Sequence, residues 1–213
     1  KLNIFLVDEN PISGQMTPET LKNCIKINKI KRVDVLITMF LGGYPENIPE
    51  FYQLKKKYNF KIIEDACHAF GSKYYYKKKY YNVGSCKHSD ISTFSFHPVK
   101  SLTTGEGGAI STNNKKIFNN LKLYRNHGMI KDKKFHWKYD IKTLGFNYRI
   151  SDINCALGIS QINKLDKFIS KRKKIFDLYS KNLKEFVNLF NYNLRNKPSY
   201  HLFLISINFE KLN

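Results

Sequence analysis

At 213 residues, 42% of them hydrophobic and 15% aromatic, the chain can bury one good core, or one large domain and part of another, which excludes a disordered segment. The longest uncharged apolar stretch, residues 35–44, is far shorter than the roughly 20 residues of a membrane-spanning helix. No secretory pattern is read at the start, so a cytoplasmic protein with no membrane partner is expected. The net charge of +20 comes mainly from scattered lysines, with arginine only at Arg32, Arg125, Arg149, Arg172 and Arg195. Recognition of bases and phosphates favours the arginine fork, so nucleic acid is not expected as a partner. A diffuse positive field would still draw an anionic substrate such as a diphosphate. Cys24, Cys67, Cys86 and Cys155 show no Cys-x-x-Cys spacing; free thiols and no metal are expected.

In chain order, residues 3–7 predict a strand. Thr17-Pro18-Glu19 then opens a helix, with Thr as N-cap, Pro at the first helical position and an acid in the first turn. Residues 33–40 predict a buried strand closed by Gly42-Gly43, residues 49–57 a short helix, and residues 60–63 the next strand. The tyrosine- and lysine-rich tract 74–81 predicts an exposed hairpin or loop, with a contact between subunits as a secondary reading. Residues 91–96 and 108–112 predict two further strands around a glycine-rich turn. Residues 113–127 predict a helix that Gly128 terminates. Ser151-Asp152 caps a helix through Leu165, with Ile153, Leu157, Ile162 and Leu165 near helical spacing, and a very basic helix follows to about Phe190. A linker over 191–198 leads to a final strand over 201–207. Repeated strand, helix and strand argue for an α/β fold with a largely parallel sheet.

Lys100 stands out by its setting. It follows the alternating run 91–96 through His97-Pro98-Val99 and precedes Ser101-Leu102-Thr103-Thr104-Gly105-Glu106-Gly107-Gly108. Upstream, the strand-like run Phe60-Lys61-Ile62-Ile63 ends in Glu64-Asp65-Ala66-Cys67-His68. An amine at one strand end and a carboxylate at another is the pair that a pyridoxal 5'-phosphate enzyme needs. The amine forms a Schiff base, and the carboxylate keeps the pyridine nitrogen protonated so that the ring acts as an electron sink. A surface lysine beside a turn is the blander alternative. Pro98 holds His97 extended, and Gly105, Gly107 and Gly108 allow turns with positive φ.

The segments EDACHAFGSKY (64–74), SDISTFSFHPVKSLTTGEGGAISTN (89–113), YRNHGM (124–129) and LGFNYRISDINCALGISQINKLDKFISKR (144–172) resemble the sugar-nucleotide aminotransferases of the DegT/StrS group, which are fold-type I pyridoxal phosphate enzymes. The likeness runs from about residue 3 to about residue 205. Within the group, His97-Pro98-Val99-Lys100 is most similar to the branch that acts in pseudaminic acid biosynthesis. The resemblance implies a cofactor-binding large domain over residues 1–165, with a mixed, mostly parallel sheet between helices, and the start of a small C-terminal domain over residues 166–213. It also implies that the subunit extends beyond both ends, with a phosphate-contacting turn and a ring-stacking aromatic before Leu2.

The resemblance assigns roles residue by residue. Lys100 would hold the cofactor covalently and carry the proton during transfer. Asp65 would pair with the pyridine nitrogen, His68 would stand near the cofactor's 3-oxygen, and Ser95 would donate a hydrogen bond to its phosphate. Asn147 would reach the phosphate in the neighbouring subunit, which makes a homodimer necessary. Lysine at position 100, where some relatives carry histidine and act as dehydratases, favours transamination. Met39-Phe40 departs from the His-Tyr or His-Phe that relatives carry there. Arg125, His127 and His97 lie beside these motifs without an assigned role.

The implied reaction is transfer of an amino group, from L-glutamate, to the 4-keto carbon of a UDP-linked 6-deoxy-N-acetylhexosamine. Two alternatives remain: a different keto sugar nucleotide, or a non-catalytic piece of the same fold serving as a dimerising or binding module. Retention of Asp65, Ser95, Lys100 and Asn147 together argues against the second.

Overall fold

The structure, a computed structural model, describes residues 2–209. Its elements in chain order are α1 (Pro18–Ile27), β1 (Val35–Met39), α2 (Ile48–Tyr58), β2 (Lys61–Asp65), β3 (Lys73–Tyr76), β4 (Lys79–Asn82), β5 (Ile91–Ser95) and β6 (Gly108–Ser111). There follow α3 (Lys115–Arg125), β7 (Met129–Lys131), β8 (Tyr139–Ile141), α4 (Asp152–Ile162), α5 (Leu165–Leu183), β9 (Asn188–Leu189) and β10 (Ile205–Ser206). The central sheet has the order β1-β2-β5-β6. Its first two pairings are parallel and the third is antiparallel. This is the mixed, mostly parallel α/β sheet expected.

Alternation along the strands gives the sheet two unlike faces. Leu36 of β1 and Ile62 of β2 point to one side, where they pack with Leu21 of α1, Phe51 and Leu54 of α2, and Phe60. Helix α1 starts where the sequence predicts: Thr17 and Thr20 exchange side-chain and backbone hydrogen bonds in a capping box, and Pro18 needs no N–H partner. In α2 the buried residues Ile48, Phe51 and Leu54 recur every third position, which turns one stripe to the sheet. The opposite face carries Val35, Ile37 and Met39, and Ile37 is 65% exposed. The strand expected over residues 33–40 is therefore covered on one side only.

Other expectations are corrected. Residues 3–7 alternate like a strand but form none, because no neighbouring strand among the described residues receives their N–H and C=O groups; Leu2, Ile4 and Leu6 are exposed. The tract 74–81 is a hairpin, β3 with β4, yet it is not wholly exposed. Tyr74 is 2% exposed, packs with Phe40, Ile48 and Val83, and its hydroxyl lies 2.7 Å from His88 Nδ1. Helix α4 stops at Ile162 and α5 runs on from Leu165 only to Leu183, so the basic helix is shorter than expected. The last strand shrinks to the two residues of β10, because the N–H groups of His201 and Leu202 both bond to Gly42 O instead of to a strand.

One partly buried charge cluster fastens β2 to α2. Asp90 Oδ2 accepts from Lys55 Nζ at 2.6 Å and from Ile62 N at 2.8 Å, and Lys61 Nζ lies 3.4 Å from Oδ1. Burial alone would raise the Asp90 carboxyl; Lys55, the Ile62 N–H and Lys61 together outweigh it and hold the group below its ordinary 3.8. A depressed carboxyl adds stability that is fully present above the unfolded value and is lost as pH falls through the folded one. Asp90→Asn is expected to cost about 1–3 kcal/mol near pH 7. The gap from the parent in urea midpoint should narrow below pH 4, and a gap that stays constant would refute the charge's role.

Candidate active site

Asp65 is the last residue of β2 and pairs in register with Thr93 of β5. Directly paired residues share a face, and Ser95 lies two positions beyond Thr93 on the same strand. Asp65, Thr93 and Ser95 thus stand on the open face with Ile37 and Met39, at the carboxyl edge of the parallel strands. Glu64, one residue away, points to the other face, where its carboxylate accepts from Ser92 Oγ. Burial raises the Glu64 carboxyl, against the hydrogen bond it receives from Ser92. Adjacent acids in one strand therefore face opposite ways, one into the core and one onto the open face.

After β5 the chain turns tightly. Lys100 N donates to His97 O at 3.0 Å, which closes a turn with Pro98 at its second position. His97 is thus part of a turn, exposed, with its Nε2 3.9 Å from Glu106 Oε1. Thr103 Oγ1 and Thr104 N both donate to Phe96 O, and Phe96 N donates to Gly107 O. Asn154 of α4 reaches Thr104 O from outside the loop. Of the three glycines expected to need positive φ, Gly105 and Gly107 have it and Gly108 does not. Gly108 is required by space instead: a Cβ there would sit 2.7 Å from Phe94 O.

This framework leaves Lys100 half-buried, and its positive charge is felt at Cys67, His68 and His201. Asp65 Oδ1 accepts from Cys67 N at 3.1 Å, and among the described residues neither Asp65 nor Lys100 forms an ion pair. Burial, then the neighbouring Asp65 carboxylate, pushes the Cys67 thiol up to about 11, so it stays protonated. His68 is held below its ordinary value by burial first and Lys100 second, while Asp65 acts the other way. Its Nδ1 accepts the Gly42 N–H at 3.4 Å, which leaves the proton on Nε2.

Four of the five residues picked from the sequence, Asp65, His68, Ser95 and Lys100, thus belong to the carboxyl edge of β2 and β5 and the loops that leave it. Asn147 does not join them within this chain. It is exposed, forms an isolated bridge with Asn126, and sits in a segment whose backbone is bonded to the end of α3 through Tyr124, Arg125 and His127. Sequence reasoning missed His201, which is 8% exposed and packs, tilted, beside His68 with ring centroids 4.4 Å apart. A single histidine opening an apolar run, Tyr200-His201-Leu202-Phe203-Leu204, was the only local sign.

The donor set fits pyridoxal phosphate on its own chemistry. A carboxylate with no cationic partner suits a protonated ring nitrogen, an amine outside any ion pair suits a carbonyl carbon, and a neutral imidazole and a hydroxyl suit the ring and phosphate oxygens.

Comparison with known proteins agrees with this reading. Over residues 2–213 the chain matches the sequence profile of the DegT/DnrJ/EryC1/StrS aminotransferase family. It is 44% identical over 175 residues to UDP-4-amino-4,6-dideoxy-N-acetyl-beta-L-altrosamine transaminase of Campylobacter jejuni, covering 82% of this chain and 42% of that one. It is 36% identical over 185 residues to GDP-perosamine synthase of Escherichia coli O157:H7, covering 87% and 47%. Among solved structures it superposes on Helicobacter pylori PseC, an aminotransferase involved in the biosynthesis of pseudoaminic acid, with a TM-score of 0.83 and 29% identity, over 95% of this chain and 52% of that one. The chain spans about half the length of the curated relatives it matches. A match along nearly the whole chain, with relatives this similar, leads to one conclusion: the chain belongs to the DegT/DnrJ/EryC1/StrS aminotransferase family.

Proposed function

We propose that this protein is a pyridoxal phosphate-dependent transaminase that moves an amino group from L-glutamate to the 4-keto carbon of a UDP-linked 6-deoxy-N-acetylhexosamine, on the way to a surface-glycan sugar such as pseudaminic acid. The observation that carries the reading is the gathering of Asp65, His68, Ser95 and Lys100 about one sheet edge, with Asp65 and Lys100 outside any ion pair among the described residues. The names of the Campylobacter and Helicobacter relatives support the sugar. The second reading is a keto sugar on a different nucleotide, which the likeness to GDP-perosamine synthase favours.

Bound pyridoxal phosphate supplies the electron sink for the reaction. The chain's own residues do the rest. Lys100 Nζ takes the proton from the donor's α-carbon and delivers it. The Asp65 carboxylate holds a positive charge at the ring nitrogen. His68 orients the ring through Nε2–H, and Ser95 Oγ donates to the phosphate. Asn147 serves the neighbouring subunit of a homodimer. Support for that dimer comes from the apolar side chains left open from β7 through α4, with Trp137, Leu144 and Ile153 among the most exposed. A cofactor-binding domain over 1–165, a smaller domain beginning at 166 and a cytoplasmic setting complete the proposal; no described helix is long and apolar enough to cross a membrane.

The test is amino-sugar formation by the natural protein, given L-glutamate and either a UDP- or a GDP-linked 4-keto-6-deoxy sugar. Asp65→Asn, which keeps the shape and loses the charge, is expected to slow it about 100-fold. A parent that aminates neither sugar sinks the function, and an Asp65→Asn variant at full rate sinks the role of Asp65.

A further inference from the structure

Two segments far apart in the chain are sewn together around Gly42-Gly43. His201 N donates to Gly42 O at 2.8 Å, and Arg172 Nη1 donates to His201 O at 3.1 Å. Ser199 Oγ donates to His68 O at 2.7 Å, Ser199 N to Ser72 Oγ at 2.9 Å, and Ser72 Oγ to Gly43 O at 2.8 Å. These bonds fix the backbones of His68 and His201 so that their rings lie 4.4 Å apart at 42°. The His201 ring is held by this packing and not by a bond of its own, since its buried Nδ1 makes no hydrogen bond among the described residues.

We propose that His201 is a positioning residue: its ring packs on His68 and, together with the Gly42 N–H, fixes that imidazole in one orientation and one tautomer, with the proton on Nε2. The inference rests on the proposed function only for what His68 faces. The geometry itself belongs to the protein without cofactor. The titratable and charged groups around the pair are Lys100 and Asp65 at His68, and His68, Lys100 and Arg172 at His201. Burial first, and then His68, Lys100 and Arg172, push His201 down to about 4, so the packed ring stays neutral through the physiological range. A neutral neighbour can lie against His68 without repelling it, and it keeps water from the ring.

The test reads the histidine tautomers by nitrogen-detected NMR in the natural, cofactor-free protein. In the parent, His68 should carry its proton on Nε2. In His201→Ala, water reaches the ring, both tautomers should be populated, and the His68 titration midpoint should move up towards its ordinary value, since burial is what lowers it most. His201→Phe, which restores a ring, should return the parent pattern. In a binding titration, pyridoxal phosphate should bind about tenfold more weakly to the alanine variant and as tightly as the parent to the phenylalanine variant. If His201→Ala fails to fold, His201→Leu takes its place under the same criteria. An unchanged His68 tautomer and midpoint in a folded, ring-less variant would overturn the proposal, as would a mixed tautomer in folded His201→Phe. If the tautomer results hold and no keto sugar is aminated, the function falls and this inference stands.

Discussion

Replacing Lys100 by alanine is expected to slow amino transfer about a thousand-fold or more while the fold survives. The side chain makes no hydrogen bond and no ion pair among the described residues, so its removal strands no partner. The loop around it is held by Thr103, Thr104, Phe96 and Asn154, none of which contacts the amine through those bonds. What is lost is the proposed nucleophile and proton carrier, together with a positive charge that lowers both His68 and His201. Both histidines should therefore titrate higher in the variant. Borohydride labelling with pyridoxal phosphate should mark the peptide that contains Lys100 in the parent and no corresponding peptide in the variant. Undiminished amino-sugar formation by Lys100→Ala would end the assignment.

A large loss of stability from a single added methyl group is expected at Gly43. Its φ of +90° costs any L side chain about 1–2 kcal/mol. A Cβ there would also lie 2.3 Å from Ser199 Oγ and 2.7 Å from His68 O, both bonded in place, and crowding of that kind adds about 1–3 kcal/mol. Gly43→Ala should thus lose about 2–5 kcal/mol in urea unfolding. Gly105→Ala is the control. Its φ is +80°, but the nearest atom to an added Cβ is Asn154 Nδ2 at 3.4 Å, so only the backbone part should appear. Equal losses in the two variants would show that the clasp between Ser199 and His68 yields to a methyl group.

The parts of this fold that could be read directly were those set by near neighbours in the chain. Thr17-Pro18 announced α1, and the alternation of residues 91–96 announced β5. Asp65 and Lys100 were legible because each ends or follows a strand, and parallel strands bring their carboxyl ends to one edge. What stayed hidden was set by contacts distant in sequence. Residues 3–7 have a strand's pattern, but a pattern cannot supply the neighbour that completes a ladder. Tyr74 looked like one tyrosine of an exposed tract, yet the pleat turned it towards Phe40 and His88 while Tyr80 stayed outside. His201 looked like part of a strand, and only the Gly42 carbonyl, which takes its N–H, shows why it belongs beside His68.

The two-faced sheet carries a consequence for how this chain can change over time. Neighbouring letters of β2 answer to different pressures: Ile62 to the helices behind the sheet, Glu64 to Ser92 beside it, and Asp65, in the role proposed for it, to whatever is processed in front of it. A library of every single substitution, scored once for soluble yield and once for catalysis, should therefore produce two combs that interleave tooth for tooth along β2 and β5. Lineages that shift to a new substrate can do so by rewriting one comb while leaving the other untouched.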